Sequence, residues 1–249
     1  SVDINADIGE SYGAWAMGDD AALLPLISSA NIACGFHAGD ANTMTKTVAL
    51  CTQHGVAIGA HPSFPDLHGF GRREMHFPLP EIHAMVLYQL GALAAIAQSQ
   101  GTRLQHVKPH GAMYNMAAKD SAMAQVIARA VRDFDRHLIL VGLANSCLVN
   151  EGKALGLKVR AEGFADRRYR SDGFLVPRTH ELALIEDVDE AVAQALRMTQ
   201  QGRVKTADGN EISLHVDTIC VHGDGAQALF FARQLREHFS RKNISVRTG

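Results

Sequence analysis

Short runs rich in Val, Ile and Ala recur along the chain, each closing on a polar, often glycine-bearing turn. Seven of them, at residues 2–8, 30–35, 56–60, 106–108, 138–142, 158–163 and 218–222, have the length of buried strands. Between them lie segments whose apolar positions follow the helical period, the mark of a helix with one buried face. The clearest covers 80–100, with Ile82, Met85, Val86, Leu90, Leu93 and Ile96 on one side and Gln89 as its polar exception. Pro80 suits the first turn of that helix, and Gly101 the position just past its end. Residues 41–53, 121–133, 187–201 and 226–239 read the same way.

Strand, turn and helix therefore alternate, which predicts an α/β fold with a parallel sheet and crossover helices. An open sheet gathers its ligand groups near one switch point. A closed β/α barrel instead rings one site with loops from every strand. Here nearly every strand ends in reactive polar residues, so the barrel is the expected architecture. The 249 residues suit one barrel domain spanning 1–249. Asp208-Gly209 is a hairpin signal and predicts a small β insertion at 205–214, before the last barrel strand.

The chemistry sits at those strand ends. The first run carries Asn5, Asp7 and Glu10; the second His37 and Asp40; the third His61 and Asp66. The fourth carries Lys108, His110, Tyr114 and Asn115. The sixth carries Glu162, Asp166, Arg167 and Arg168, and the seventh His222 and Asp224. A lone histidine is more often structural than catalytic. Four histidines, several carboxylates and a lysine on one rim point to a common site.

Asp7, His37 and His61 have the ligand types for a divalent metal. The alternative is a hydrogen-bonded network of neutral His and ionised Asp. Lys108 ends an apolar strand and would stabilise an oxyanion or hold an anionic group, unless an ion pair with Glu162 or Asp7 occupies it. Glu162 and Asp7 are the candidate general bases. Arg72 and Arg73 follow a glycine-rich turn and would close on an anion, or else form a solvated surface pair; Arg167 and Arg168 carry the same two readings.

Composition narrows the partners. A formal charge of −2 leaves no electrostatic footprint for nucleic acid or an anionic membrane. No uncharged apolar run is expected to approach a membrane span. Cys34, Cys51, Cys147 and Cys220 form no C-x-x-C pair, which fits free thiols in a reducing compartment. The opening SVDINADIGE has no basic segment followed by an apolar one, so cytoplasm is the expected location. The patterns G-x-x-x-x-G-K-[ST], G-x-G-x-x-G and G-x-S-x-G are missing. The residues alone reach as far as hydrolase-like acid/base chemistry on a small polar substrate.

Six segments, DINADIGESYGAW, NIACGFHAGD, GAHPSFPDLHGFGRR, VKPHGAMYN, EGFADRRY and VHGDG, together resemble the LamB/YcsF family. The resemblance runs from Val2 to about Phe239. It implies an irregular seven-stranded β/α barrel like those of glycoside hydrolases and polysaccharide deacetylases. It also implies the A component of an ATP-dependent 5-oxoprolinase, opening 5-oxo-L-proline to L-glutamate with ATP and Mg²⁺ and assembling with B and C subunits. On that basis Asp7, Lys108, His110, Glu162, His222 and Asp224 are the expected catalytic residues. Glu10, Asp40, Arg72, Arg73, Asn115 and Asp166 are the expected substrate contacts, with or without the divalent metal that the residue types at Asp7, His37 and His61 allow. In such a site Glu162 or Asp7 would activate water, and His110 or His222 would protonate the leaving nitrogen. The rival readings are a metal-dependent deacetylase or amidohydrolase acting without ATP, and a binding module that presents a lactam or carbohydrate to partner proteins.

Overall fold

The computed structural model describes residues 1–221 and 228–248. Its elements in chain order are β1 (Asp3–Ile8), α1 (Asp20–Leu23) running into a 3-10 turn at Leu24–Leu26, β2 (Ser29–Ala33), α2 (Ala41–His54) and β3 (Ala57–His61). Then come α3 (Leu79–Ser99), β4 (His106–Val107), α4 (Gly111–Ala117), α5 (Ser121–Phe134), β5 (Ile139–Leu143), α6 (Cys147–Ala154) and β6 (Lys158–Phe164). The chain ends with α7 (Val188–Gln201), β7 (Arg203–Lys205), β8 (Glu211–Ser213), β9 (Thr218–Val221) and α8 (Ala228–Arg241).

Strands β1 to β6 and β9 close into a seven-stranded barrel in which every pairing is parallel. This is the α/β barrel expected from the alternation. β7 and β8 pair antiparallel outside it, around Asp208-Gly209. The seven expected strands coincide with the barrel strands to within a residue or so at each end, although His222 lies outside the described residues.

Alternation along each strand sorts its side chains to the two faces of the sheet. In β1, Ile4, Ala6 and Ile8 join the apolar layer between barrel and helices. Asp3, Asn5 and Asp7 take the other face and bond across the barrel to neighbouring strands. β2 repeats this with Ala30 and Ile32 in the apolar layer and Ser29 and Asn31 inside. The barrel interior is thus largely polar, where the sequence suggested strands buried among apolar neighbours. Register sets these residues side by side: Asp7 beside Asn31, Gly59 beside His106, and Glu162 beside Thr218. The absence of a side chain at Gly59 makes room for the His106 ring, which a Cβ there would overlap.

Helix α3 corrects one expectation. Residues 82–99 contain no Asp, Glu, Lys or Arg, and among the described helices α3 alone is long and apolar enough to cross a membrane. In the fold it lies in the outer layer against α5, with Ile82, Val86, Leu90, Leu93 and Ala97 buried. Gln89, the polar exception, is buried as well: it accepts from Ser63 N–H and donates to the Ser63 carbonyl. All four cysteines are free, and burial pushes the thiols of Cys34 and Cys51 up to about 12.

Two glycines separate packing from propensity. Gly59→Ala forces a methyl group into the His106 ring and is expected to cost about 1–3 kcal/mol. Gly91→Ala, mid-helix in α3 with open space around it, is expected to add about 0.5–1 kcal/mol. Urea denaturation of the two variants checks both signs.

Candidate active site

The C-terminal ends of the barrel strands open on a cavity of about 570 Å³. Its floor carries Asp7, His61 and Lys108, and Glu10, His110, Tyr114 and Phe164 continue the lining. Arg72, Lys119, Arg167 and Arg178 add positive charge to the wall, together with Phe70, Phe174 and Asn115.

Lys108 is the centre of the floor. Its Nζ lies 2.8 Å from Glu162 Oε1 and 3.0 Å from Asp7 Oδ1, and it also donates to Asn5 Oδ1 at 3.2 Å. An ammonium has three N–H donors, and with Cys220 Sγ at 3.3 Å as a fourth acceptor these protein groups account for all of them. The ion-pair reading therefore describes Lys108. Glu162 has no exposed surface: it accepts from Tyr114 Oη at 2.6 Å and Asn5 Nδ2 at 3.0 Å. Asp7 keeps 15% of its side chain exposed and accepts from Asn31 Nδ2 at 2.9 Å. Of the two candidate bases, Asp7 lines the cavity.

Burial alone would raise the Asp7 carboxyl, but the charges of His61 and Lys108 outweigh it and hold the group well below the usual carboxylate range. Burial likewise opposes the Lys108 charge, and Asp7, Cys220 and Glu162 hold its pKa well above that of a free lysine. Burial, reinforced by Glu162, keeps the Tyr114 phenol neutral and donating.

Beside this floor lies a histidine cluster. His61 Nε2 is 3.3 Å from Asp7 Oδ2 and 3.0 Å from His110 Nδ1. His37 stacks on His110, with ring centroids 3.8 Å apart, and places Nε2 3.4 Å from Glu10 Oε1. Glu10, His37, His61 and His110 each offer a ligand atom within 4.8 Å of the others, a donor set that fits a divalent cation. This set differs from the expected one. Glu10 and His110 join His37 and His61; Asp7 Oδ1 accepts from Lys108 and Asn31, and its Oδ2 lies 3.3 Å from His61 Nε2. Burial, and then His61, push the His110 ring down to about 3; burial also holds His37 well below the usual histidine value.

Local backbone explains how these rings meet. Gly71 and Gly111 both have positive φ, at 64° and 56°, and a Cβ on either would run into the neighbouring loop. That close approach lets Ala112 N–H donate to the Gly71 carbonyl at 2.8 Å and seats His110 under the Phe70 carbonyl at 2.9 Å.

Other expected site residues lie elsewhere. Asp40 caps α2, accepting from the backbone N–H groups of Asn42, Thr43 and Gly13, and is not part of the cavity lining. Arg73 pairs with Asp66 and Arg168 with Glu190. Asp166 is also absent from the lining, and its backbone carbonyl accepts from Ile185. Arg167 lines the cavity, but its guanidinium is buried and donates to the carbonyls of Val176 and Ala183. His222 and Asp224 lie outside the described residues. Sequence reasoning missed Asn31 and His106, whose rows continue the inward positions of Asp7 and Lys108, and the cavity-wall cations Lys119 and Arg178.

A model of the LamB/YcsF family matches residues 2–249 of this chain. A Bordetella parapertussis protein, named as the A component of 5-oxoprolinase, is 54% identical over 249 residues, covering 100% of this chain and 99% of the relative. A Methylococcus capsulatus protein of the same name is 57% identical over 246 residues, covering 99% of this chain and 95% of the relative. The crystal structure of the lactam utilization protein from Thermus thermophilus matches with a TM-score of 0.94 at 47% identity, covering 100% of this chain and 99% of that one.

The buried histidines give the fold a pH signature. Burial is the first cause holding His106 and His110 at about 3, whereas a histidine in the unfolded chain titrates near 6.5. Unfolding therefore takes up protons between those values, so stability rises with pH across the window and falls as pH drops through it. The expected loss is roughly 1.4 kcal/mol per pH unit for each such ring. Urea midpoints of the metal-free chain, stepped downward from neutral pH, measure the slope. His106→Asn should reduce it by one proton, and a flat profile would mean that the rings are already protonated in the fold.

Proposed function

The chain belongs to the LamB/YcsF family, and on that premise we propose that it is the A component of a 5-oxoprolinase, opening 5-oxo-L-proline to L-glutamate with hydrolysis of ATP. The observation that carries the reading is Asp7, an ionised carboxylate on the floor of the cavity, fixed by Lys108 and open to a small substrate. B and C subunits are the proposed partners, with Mg²⁺ accompanying the nucleotide.

An unstrained lactam resists water because amide resonance protects its carbonyl carbon. Phosphorylating the amide oxygen removes that protection and makes the ring carbon electrophilic. A carboxylate of depressed pKa is a weak base, which suffices once the carbon is activated. Asp7 orients the water and takes its proton as the bond to carbon forms. Protonated Asp7 is then a strong acid, placed to return that proton to the lactam nitrogen as the C–N bond breaks; this leaves a γ-acyl phosphate, which a second water hydrolyses to glutamate and phosphate. His110 has both ring nitrogens engaged, with His61 and with the Phe70 carbonyl, and is not assigned that step.

Lys108 acts by holding Asp7 in place and ionised, and Glu162 acts by fixing Lys108. The cavity is larger than a five-membered lactam needs, and Arg72, Lys119 and Arg178 on its wall suit the substrate carboxylate and the phosphates. The histidine cluster favours a second reading, a metal-dependent amidohydrolase that needs no ATP.

Glutamate and phosphate release from 5-oxoproline, measured for the chain with its B and C subunits, tests both readings. Equal amounts of the two products, strictly dependent on ATP, are expected. Asp7→Asn should lower kcat by about 10²–10⁴-fold with KM changed little. Glutamate formed without ATP overturns the first reading in favour of the second, and near-normal turnover by Asp7→Asn removes Asp7 from its role.

A further inference from the structure

Two backbone carbonyls fix the tautomers of adjoining rings. His61 Nδ1 lies 2.6 Å from the Lys108 carbonyl, and His110 Nε2 lies 2.9 Å from the Phe70 carbonyl. A carbonyl only accepts, so each of these nitrogens carries its ring's proton. In the neutral rings the opposite nitrogens, His61 Nε2 and His110 Nδ1, are then bare, yet they face each other at 3.0 Å. Lone pairs at that distance repel unless a metal cation lies beside both or an added proton sits on His61 Nε2, which also faces Asp7 Oδ2 at 3.3 Å. A carbonyl behind each ring is also how metal-ligating histidines are commonly oriented.

The surroundings supply more donors. Glu10 Oε1 is 3.7 Å from His110 Nδ1 and 3.4 Å from His37 Nε2, and the buried His37 Nδ1 has no hydrogen-bond partner. Around a tetrahedral ion with bonds of about 2.1 Å, ligand atoms stand about 3.4 Å apart. Three of the six separations, 3.0, 3.4 and 3.7 Å, bracket that spacing, and all six lie within 4.8 Å. The interplanar angle of the stacked His37 and His110 rings is 5°, so their lone pairs cannot both aim at one ion without a tilt of His37.

We propose that His61, His110 and Glu10, completed by a tilt of His37, form a resident site for one transition-metal dication of the zinc, cobalt or iron type. Imidazole nitrogens outnumber carboxylate oxygens in the set, which selects against magnesium, a cation that prefers oxygen ligands. The site is therefore separate from any Mg²⁺ carried by a nucleotide. Glu10, His61 and His110 line the cavity, which gives an ion a path from solvent and sets it beside Asp7.

Titration of the chelator-stripped full chain with Co²⁺, followed by visible d–d absorption and by calorimetry, reads the site without substrate. Its outcome is therefore independent of the lactam reading. Saturation at one equivalent is expected, with Zn²⁺ displacing Co²⁺ and a large excess of Mg²⁺ failing to do so. His110→Ala should lose the band and His37→Ala should weaken binding by about tenfold or more. Glu10→Gln, the mildest change, keeps a folded reference and should shift both band and affinity. No saturable absorption, displacement by Mg²⁺, or unchanged affinity in Glu10→Gln and His110→Ala would overturn the proposal, the first of these meaning that a shared proton occupies the place of the ion.

Discussion

A buried ammonium lets two carboxylates share the inside of this barrel. Taking an isolated carboxylate out of water costs several kcal/mol, and attraction to a counter-ion compensates only when the geometry is close and the remaining lone pairs are satisfied. Lys108 meets that condition at 2.8 Å from Glu162 and 3.0 Å from Asp7. Asn5 bridges the group by accepting from Lys108 while donating to Glu162, and Tyr114 covers the second Glu162 oxygen. Asn31 joins Asp7 to Asn5 and receives His106 behind it. Removing one member would leave others buried without partners, so the network behaves as a unit.

The same constraint shapes the chemistry above it. Because the Lys108 donors all go to protein acceptors, three oxygens and the Cys220 sulfur, the residue orders the floor of the cavity and keeps Asp7 charged. Asp7 then faces the cavity on one side and the His61 ring on the other. The glycine contact between the loop at Gly71 and the start of α4 brings His110 against His61. Carboxylate floor and imidazole cluster thus adjoin at His61, which meets Asp7 on one side and the Lys108 carbonyl on the other.

The architecture is largely legible in the sequence because hydrophobic periodicity is a local signal. All seven barrel strands and the five longer helices stand where that signal places them. The short helices α1, α4 and α6 escape it, since eight residues or fewer carry too little periodicity to separate from a loop. The polar lining of the barrel is harder to read. A strand such as DINADI reads as apolar with a reactive end, although its inward row, Asp3, Asn5 and Asp7, is polar from end to end. Residue type suggests ligands for a metal, but only three-dimensional proximity exchanges Asp7 for Glu10 and His110. Asp40, Arg73 and Arg168 carry the right chemistry for a site, and local partners, a helix cap and two ion pairs, claim them instead.

Lys108 and Glu162 depend on each other, and a double-mutant cycle measures that dependence directly. Stabilities of the wild-type chain, Lys108→Met, Glu162→Gln and the double variant come from urea denaturation at neutral pH. Lys108→Met alone should cost about 3–5 kcal/mol, because it leaves a buried carboxylate uncompensated. Glu162→Gln keeps an acceptor oxygen for Asn5 and turns an amide N–H toward the Tyr114 hydroxyl oxygen, while removing that charge. The double variant should therefore recover much of the loss, with a coupling of about 1–3 kcal/mol. Additive losses would contradict this dependence, placing the stability of the barrel interior elsewhere than in the ion pair.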